Sequence, residues 1–199
     1  MHRNDLSELH YIVPIANLPS ILARGLLSHR RVAVIDHLSV ANEEVQVRRA
    51  SRKLQTGRWL HEYVNLYFCA RNTMLYFLVR TYLQSELSVL RISTDVLSVS
   101  GALVTDRNAA SGIALVADPA TGIARLDRDV VFAQSWIHEG DPDATYDHRQ
   151  RMCAEVLVPD RIGPEYILGA YVADDRGKAL LEAAAPGLVV TINARLFFR

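Results

Sequence analysis

The sequence has few of the features that mark secreted, membrane-spanning or metal-binding proteins. Only two cysteines occur in 199 residues. Cys69 and Cys153 lie far apart in apolar surroundings, so we expect buried free thiols rather than a disulfide or a zinc site. No uncharged apolar run reaches the roughly 18 to 20 residues that span a bilayer, and the first residues do not resemble a signal peptide. We therefore expect a cytoplasmic protein without membrane attachment.

A net charge is also missing. The 22 basic residues balance the 22 acidic ones, which excludes a globally basic nucleic-acid-binding protein. One segment departs from this balance, because eight basic residues and only three acidic ones occur between Arg24 and Arg58. Such a local excess attracts phosphate groups. The more common explanation for a bare run of charges is a solvent-exposed helical face.

Common catalytic signatures are absent as well. The chain has no phosphate-binding glycine loop and no GxGxxG, HExxH or GxSxG motif. What it does have is the composition of a globular protein with a substantial core, since 50% of its residues are hydrophobic and 22% are charged. No repeat, low-complexity segment or linker divides the chain, so we expect one domain over residues 1–199.

Short strand patterns dominate, with a few helical segments between them. We predict strands at 8–15, 60–70, 87–93, 101–106, 112–117, 129–134, 151–162, 166–173 and 188–198. We predict helices over 17–25, 39–54, 72–84 and 177–185, and a polar, partly helical loop over 136–150. Asn17 and Asn72 are the expected N-caps, and Gly25 is the expected end of the first helix. Because the strands cluster without β-α-β alternation, we expect an α+β fold with a split, mainly antiparallel sheet flanked by helices.

Three groups of residues are suited to chemistry. Glu155 lies in the apolar strand 151–162, where a buried carboxylate is costly unless it is paired or used. An exposed sheet edge explains Glu155 equally well. Arg48 and Arg49 in VQVRRASRK have the fork geometry that binds pyrophosphate. The aromatic residues of the first strand and of 60–77 suit a nucleotide pocket, although an aromatic core is the more common arrangement.

Five stretches, in this order, resemble the DarT family, which comprises ADP-ribosyltransferase toxins of DarTG toxin–antitoxin systems. They are LHYIVPIANLPSILARGLLSH, VQVRRASRKL, LHEYVNLYFCARNTMLY, LVTDRNAAS and RMCAEVLVP. The resemblance covers most of the chain. It implies an ADP-ribosyltransferase-like fold, NAD consumed as a substrate, no metal and single-stranded DNA as acceptor. It also implies a separate antitoxin, such as a macrodomain or a similar ADP-ribosyl hydrolase.

The resemblance also implies roles for individual residues. Glu155 and Arg49 match the family's catalytic pair, and Arg49 is expected to position NAD as well. The residues expected at the cofactor are His10, Tyr11, Ile12, Asn17, Ser28, Arg49 and Tyr67. Those expected at the DNA are Arg48, Arg71, Asp106, Arg107 and Asn108. Because the residues at 10 and 11 stand in the reverse of the family order, either His10 or Tyr11 can line the nicotinamide pocket.

Some features depart from the family, and alternatives remain open. The segment NLYFCARNT is closer to the guanine-modifying branch than to the thymine-modifying one, so guanine is the favoured target base. A transferase acting on RNA or protein is one alternative, and a non-catalytic nucleotide- or nucleic-acid-binding module is another. The presence of both Arg49 and Glu155 in matching motifs argues against the second alternative. We also expect the polar segment 136–150 to shape the acceptor side of the site.

Overall fold

A computed structural model describes residues 1–199 and contains ten β-strands and eight α-helices. The strands are β1 (Leu9–Pro14), β2 (Leu26–Leu27), β3 (Tyr63–Tyr67), β4 (Leu87–Ile92), β5 (Leu103–Thr105), β6 (Val116–Ala117), β7 (Glu155–Pro159), β8 (Arg161–Ile162), β9 (Ile167–Val172) and β10 (Val190–Ile192). The helices are α1 (Leu18–Arg24), α2 (His29–Val32), α3 (Glu43–Ala50), α4 (Thr73–Thr81), α5 (Pro119–Arg125), α6 (Arg128–Val131), α7 (Pro142–Arg151) and α8 (Asp175–Ala184).

Eight strands form one sheet in the order β10-β9-β4-β1-β3-β7-β5-β6, in which only β9 and β10 are parallel. β2 and β8 form a separate two-stranded ribbon. β1 pairs with β4 over six residues, and β3 pairs with β7 over five. β1 and β3 share a single pair, His10 opposite Tyr67. The sheet therefore has two well-bonded halves that separate between β1 and β3, and the expected α+β class with a mainly antiparallel sheet is confirmed.

The side chains of β3 alternate between two environments, as the period of a strand requires. One face is fully buried in the main core, where it packs with residues of β1, β4 and β7, and it consists of Val64, Leu66 and Phe68. Burying side chains of this size contributes about 1.5–3 kcal/mol each. The other face borders a cavity and consists of Tyr63, Asn65 and Tyr67. β3 is thus a core strand on one side and a wall of a site on the other.

Two predicted helix ends have the expected chemistry. The Asn72 side-chain oxygen accepts from the backbone N–H groups of Met74 and Leu75, which caps α4. Gly25 ends α1 with a φ of 81°, a conformation that other residues rarely adopt. Asn17 does not cap α1. Its side-chain amide instead exchanges two 2.9 Å hydrogen bonds with the backbone of Leu38, so it ties the irregular segment 35–42 to the start of α1.

Other predicted boundaries are wrong because local caps override the strand pattern. Residues 129–134 are not a strand: the Asp127 carboxylate caps α6 there through the N–H groups of Asp129 and Val130. Helix α5 was not expected, although Asp118 and a proline in the first turn begin it. The strand predicted from residue 151 starts only at Glu155, since α7 extends to Arg151. The final strand likewise ends at Ile192.

Both cysteines are free thiols, as expected. Cys153 is buried and Cys69 is partly buried. Burial raises the pKa of Cys69 to about 11 and also raises that of Cys153, so both thiols are protonated at neutral pH. None of the helices combines the length and the apolar composition that a membrane span requires.

Candidate active site

A buried ion pair joins α3 to the start of β7. Nη1 of Arg49 donates to both carboxylate oxygens of Glu155, at 3.1 Å to Oε1 and 3.0 Å to Oε2. The side chains are 6% and 0% exposed. β7 lies inside the sheet between β3 and β5, so an exposed edge does not explain Glu155. Two charges withdrawn from water this completely are tolerated only when they are paired and hydrogen-bonded.

Further hydrogen bonds hold the loop after β5 against Glu155. The backbone N–H of Ala109 donates to Oε1 of Glu155 at 3.0 Å. The backbone N–H of Glu155 donates to the Thr105 hydroxyl at 3.1 Å, and that hydroxyl donates to the Arg107 carbonyl at 2.7 Å. Arg49 uses only Nη1 in this network. Its Nε and Nη2 therefore remain available to a ligand.

A cavity of about 540 Å³ borders Arg49 and is lined by residues of both β1 and β3. This volume is within the range of small-molecule sites. The walls include residues of β1, β2, β3, α1, α2, α3, α4 and α7, of the segments 35–42 and 60–61, and of the loop after β5. No Asp or Glu lines the cavity, whereas Arg48, Arg49 and Arg149 do. Arg48 and Arg149 have no ion-pair partner, so the lining favours an anionic ligand, and pyrophosphate matches the geometry of guanidinium groups.

Most of the predicted cofactor residues line this cavity, namely Tyr11, Ile12, Asn17, Arg49 and Tyr67. Burial raises the pKa of the Tyr11 phenol. Burial, assisted by the charge of Glu155, raises the pKa of Tyr67 well above its ordinary value. Both phenols are therefore protonated at neutral pH and can donate hydrogen bonds.

His10 and Ser28 are the two predicted cofactor residues that lie outside the cavity lining. The His10 ring is bonded through Nδ1 to the Phe68 carbonyl and through Nε2 to Glu8, both at 3.2 Å. Of the two candidates on the first strand, the structure thus places Tyr11 at the cavity. Ser28 is 1% exposed, and its hydroxyl has no hydrogen-bond partner.

Of the residues predicted to contact DNA, some line the cavity and others do not. Arg48 and Asn108 line the cavity, whereas Asp106 and Arg107, at the start of the loop after β5, do not. Nε of Arg107 is 3.3 Å from Asp106, and its Nη1 is 2.7 Å from Asp147 of α7. The two residues thus join the loop after β5 to α7.

Arg71 is also held within the protein. It donates to the carbonyl oxygens of Arg195 at 3.1 Å and Gln134 at 2.7 Å. Its guanidinium lies 4.2 Å from the centre of the Phe198 ring. These contacts fasten the C-terminal turn to the start of α4, so the structure does not place Arg71 at the cavity.

His29 and His61 also line the cavity; no role was predicted for His29, and His61 was expected only among the aromatic side chains suited to a nucleotide pocket. The rings of His29 and His61 stack at 4.0 Å, and Nε2 of His61 lies 3.1 Å from Oε1 of Gln46 on α3. Burial, with help from the His29 and Arg49 charges, lowers the pKa of His61 to about 4. Burial and then Arg49 lower that of His29. The only signal in the sequence was their position in the motifs GLLSH and LHEYV.

The polar segment 136–150 contributes to the cavity as well. It forms most of α7, and three of its residues line the cavity: Tyr146, Arg149 and Gln150. Tyr146 is 65% exposed and Phe77 of α4, which also lines the cavity, is 49% exposed. Two accessible aromatic rings and a guanidinium therefore border this side of the cavity.

Comparison with known proteins assigns the chain to a family. Residues 10–195 match the family model described as ssDNA thymidine ADP-ribosyltransferase, DarT. The chain therefore belongs to the DarT family, as its motifs predicted. The expected preference for guanine is wrong at the level of the family, because the matching model is that of thymidine-modifying enzymes.

Individual relatives agree with the family model. The chain is 32% identical over 185 residues to a DNA ADP-ribosyl transferase–DNA ADP-ribosyl glycohydrolase fusion protein of Thermosipho africanus, a match that covers 89% of this chain and 45% of the relative. This chain therefore spans less than half the length of that relative.

Solved structures of DarT from Thermus sp. 2.9 are also similar. The complex with ADP-ribosylated ssDNA is 26% identical, with a TM-score of 0.81 and 96% of each chain covered. The complex with carba-NAD+ is 25% identical, with a TM-score of 0.76 and coverage of 96% of this chain and 97% of the other.

Proposed function

We propose that the protein is an NAD-dependent ADP-ribosyltransferase that modifies thymidine in single-stranded DNA and acts as the toxin of a toxin–antitoxin system. The observation that carries this proposal is the buried Arg49–Glu155 pair beside a cavity without acidic residues. The family model and the complexes of the Thermus relative with carba-NAD+ and with ADP-ribosylated ssDNA support both substrates.

In this reaction the bond between the ribose C1′ and the nicotinamide nitrogen breaks, and nicotinamide leaves as a neutral molecule with the bonding electrons. A base nitrogen then bonds to C1′ and loses its proton. C1′ carries oxocarbenium-like positive charge in the transition state, as in glycoside hydrolysis. The Glu155 carboxylate stabilises that charge and accepts the proton. Thymine in DNA has one ring N–H, at N3, which supplies both the nucleophile and the proton.

The geometry of the Arg49–Glu155 pair requires a movement of Arg49 before NAD can reach Glu155. Glu155 is fully buried, and both of its oxygens are held by Nη1 of Arg49. NAD therefore reaches the carboxylate only if Arg49 changes position as the cofactor binds. The free Nε and Nη2 of Arg49 are suited to draw it toward the pyrophosphate. Arg49 would then position NAD and uncover Glu155 in the same movement.

Single-stranded DNA is the acceptor that the cavity can accommodate. A paired base is stacked within its duplex and cannot enter a pocket, whereas an unpaired base can rotate into it. The exposed rings of Phe77 and Tyr146 at the cavity are suited to stack with bases. The neutral overall charge fits a modest, salt-sensitive affinity for DNA.

The proposed function also includes one domain, a cytoplasmic location and an antitoxin. We treat residues 1–199 as one transferase domain, which is supported by a sheet whose strands extend from residue 9 to residue 192. A cytoplasmic location fits both substrates. An ADP-ribosyl hydrolase as antitoxin fits the Thermosipho relative, which carries a glycohydrolase in the same chain. That the antitoxin of this protein is a separate chain stays a prediction.

Mass spectrometry of nucleosides tests the reaction and the target base together. The protein is incubated with NAD and with oligonucleotides that differ only in one thymidine or guanosine, and the digested nucleosides are analysed. We expect ADP-ribosyl thymidine and release of nicotinamide. ADP-ribosyl guanosine as the main product would overturn the assigned base. A better RNA or protein acceptor would overturn the assigned substrate, and NAD binding without nicotinamide release would exclude a transferase.

A further inference from the structure

A second cavity, of about 420 Å³, lies next to the first. The first cavity is lined by Asn108, Ala110, Ser111 and Gly112 of the loop after β5, and the second by residues 114–117, which end this loop and form β6. The segment 108–117 therefore contributes to both cavities. The second cavity also has a cationic lining of Arg52, Lys53 and Arg125 and no acidic residue. We call it the basic groove.

The cations of the basic groove differ from most others near them because they have no acidic partner. Arg52, Lys53 and Arg125 take part in none of the ion pairs of the structure. Arg58, five residues after Lys53, is paired with Asp160 at 2.6 Å. Unpaired cations that line a concave surface attract phosphate groups strongly.

The two cavities share neighbouring residues of the chain, and Arg52 bonds the loop after β5. Arg48 and Arg49 of the first cavity and Arg52 and Lys53 of the groove lie within six consecutive residues. Arg52 also donates to the carbonyl oxygens of Ser111 and Ala114, the latter at 3.0 Å. A ligand that extends from one cavity to the other thus passes the segment 108–117 and cations that are neighbours in the chain.

The top of the loop is apolar and exposed. Ile113 is 72% exposed and Leu115 is 55% exposed, whereas Ala114 between them is buried. Trp59 is 42% exposed, and the Lys53 ammonium lies 5.7 Å from the centre of its ring. Accessible apolar and aromatic surfaces next to cations are the features with which proteins hold single-stranded nucleic acid, because the bases stack while the phosphates bind the cations.

We propose that the basic groove binds the phosphodiester backbone of nucleotides that flank the target base. The target base occupies the first cavity, the strand crosses the loop over Ile113 and Leu115, and the flanking phosphates bind Lys53 and Arg125. This inference rests on the proposed function and extends it to a DNA path. The groove lies apart from Arg49 and Glu155, so it contributes to DNA affinity rather than to the chemical step.

A charge-reversed double variant, Lys53→Glu/Arg125→Glu, tests the groove. The KM for a 12-nucleotide strand with one central thymidine is expected to rise at least tenfold, with kcat changed less than twofold. The salt dependence of binding, measured by fluorescence anisotropy, is expected to weaken by about 0.7 in the slope of log K against log salt for each phosphate that the variant no longer binds. The matched control is Arg176→Glu, an exposed and unpaired cation on α8, which is expected to leave both quantities unchanged.

The possible outcomes test the groove proposal and the proposed function separately. If the wild type modifies the strand and the double variant has the same KM and salt slope as Arg176→Glu, the groove proposal is wrong. If the double variant weakens binding to RNA but not to DNA, the assigned ligand is wrong. If the wild type transfers ADP-ribose to no strand, the proposed function fails, while anisotropy still tests the groove. Lys53→Gln/Arg125→Gln replaces the double variant if circular dichroism shows that the latter is unfolded.

Discussion

Two Arg–Glu pairs lie along the same sheet, and their surroundings differ. In the pair of Arg91 and Glu8, Nε of Arg91 donates to Oε2 at 2.7 Å, and the Tyr171 hydroxyl donates to Oε1 at 2.9 Å. Neither residue of this pair lines either cavity. In the pair of Arg49 and Glu155, the guanidinium uses one nitrogen and borders the larger cavity.

The difference teaches when such a pair indicates function. Burial raises the pKa of Glu8, but hydrogen bonds from His10, Arg91 and Tyr171 outweigh it and bring the value down to about 2. Both oxygens of Glu8 have their partners inside the protein, and the pair borders neither cavity, so it stabilises the fold. Arg91 and Arg49 each donate to the carboxylate through one nitrogen, but only Arg49 lines a cavity that a ligand can enter. Access to a cavity, rather than the presence of an ion pair, therefore identifies a candidate site.

Glu155→Gln is expected to separate the two pairs most sharply. The substitution keeps the shape of the side chain but removes the negative charge that stabilises the ribose cation, so transfer is expected to fall about a thousandfold. Glu8→Gln is the matched control and is expected to retain the wild-type rate within a factor of about three. The measurement is transfer of labelled ADP-ribose to a thymidine-containing oligonucleotide. A Glu155→Gln rate above a tenth of the wild-type rate would contradict the assigned role.

The Glu8 pair is expected to dominate acid stability. The pKa of Glu8 is 4.5 for the free group and about 2 in the folded protein, so its contribution is complete above pH 4.5 and is lost as the pH falls toward 2. The shift corresponds to roughly 3 kcal/mol of unfolding free energy. Urea unfolding of the wild type and Glu8→Gln should differ by this order above pH 4.5, and the gap should close at lower pH. A gap independent of pH would show that Glu8 acts through packing alone.

Arg49→Lys is expected to reduce transfer about a hundredfold. A lysine carries a single ammonium group and cannot contact a carboxylate and a pyrophosphate in the forked geometry of a guanidinium. Arg91→Lys makes the same replacement in the other pair and is expected to lower the melting temperature without a comparable loss of activity. Both variants are measured for transfer and for thermal unfolding. Equal effects on activity would remove the distinction between the pairs.

Tyr11→Phe is expected to have the smallest effect. The loss of one phenol hydrogen bond of about 1 kcal/mol would raise the KM for NAD about fivefold. His10→Gln, at the neighbouring position that belongs to the Glu8 network, is expected to leave this KM unchanged. Steady-state kinetics with varied NAD distinguishes the two residues, and the reverse result would place His10 at the cofactor.

Sequence reasoning located the elements of the site better than it located their contacts. The strand β3, the cap at Asn72, and the placement of Arg49 and Glu155 in two different elements were predictable, because period, capping chemistry and motifs are local properties. His10 and Arg71 were predicted as ligand contacts, yet both are bonded within the protein. Phe68, which bonds His10, and the partners of Arg71 are 58 to 124 residues away in the sequence, so no local pattern reports which way these side chains point.

Helix α6 was predicted as a strand for a similar reason. Residues 129–134 have the apolar, β-branched pattern of a strand, but the Asp127 cap and the packing of α6 against α7 override it. A weak local preference of this kind is outweighed by one cap together with tertiary contacts. The basic groove was only partly visible, since the excess of charge between Arg24 and Arg58 was evident whereas the contribution of Arg125 was not.

The sequence by itself determined the family, the α+β class and the two residues of the central ion pair, because these depend on residue type, order and spacing. Only the tertiary structure decided that Tyr11 rather than His10 lines the cavity, that Arg71 is a structural contact, and that the segment 108–117 contributes to two cavities. The physical reason is that a charge or an aromatic ring acquires its role from the groups that surround it. In the central ion pair, one group comes from a helix and the other from a strand, and they are 106 residues apart in the sequence.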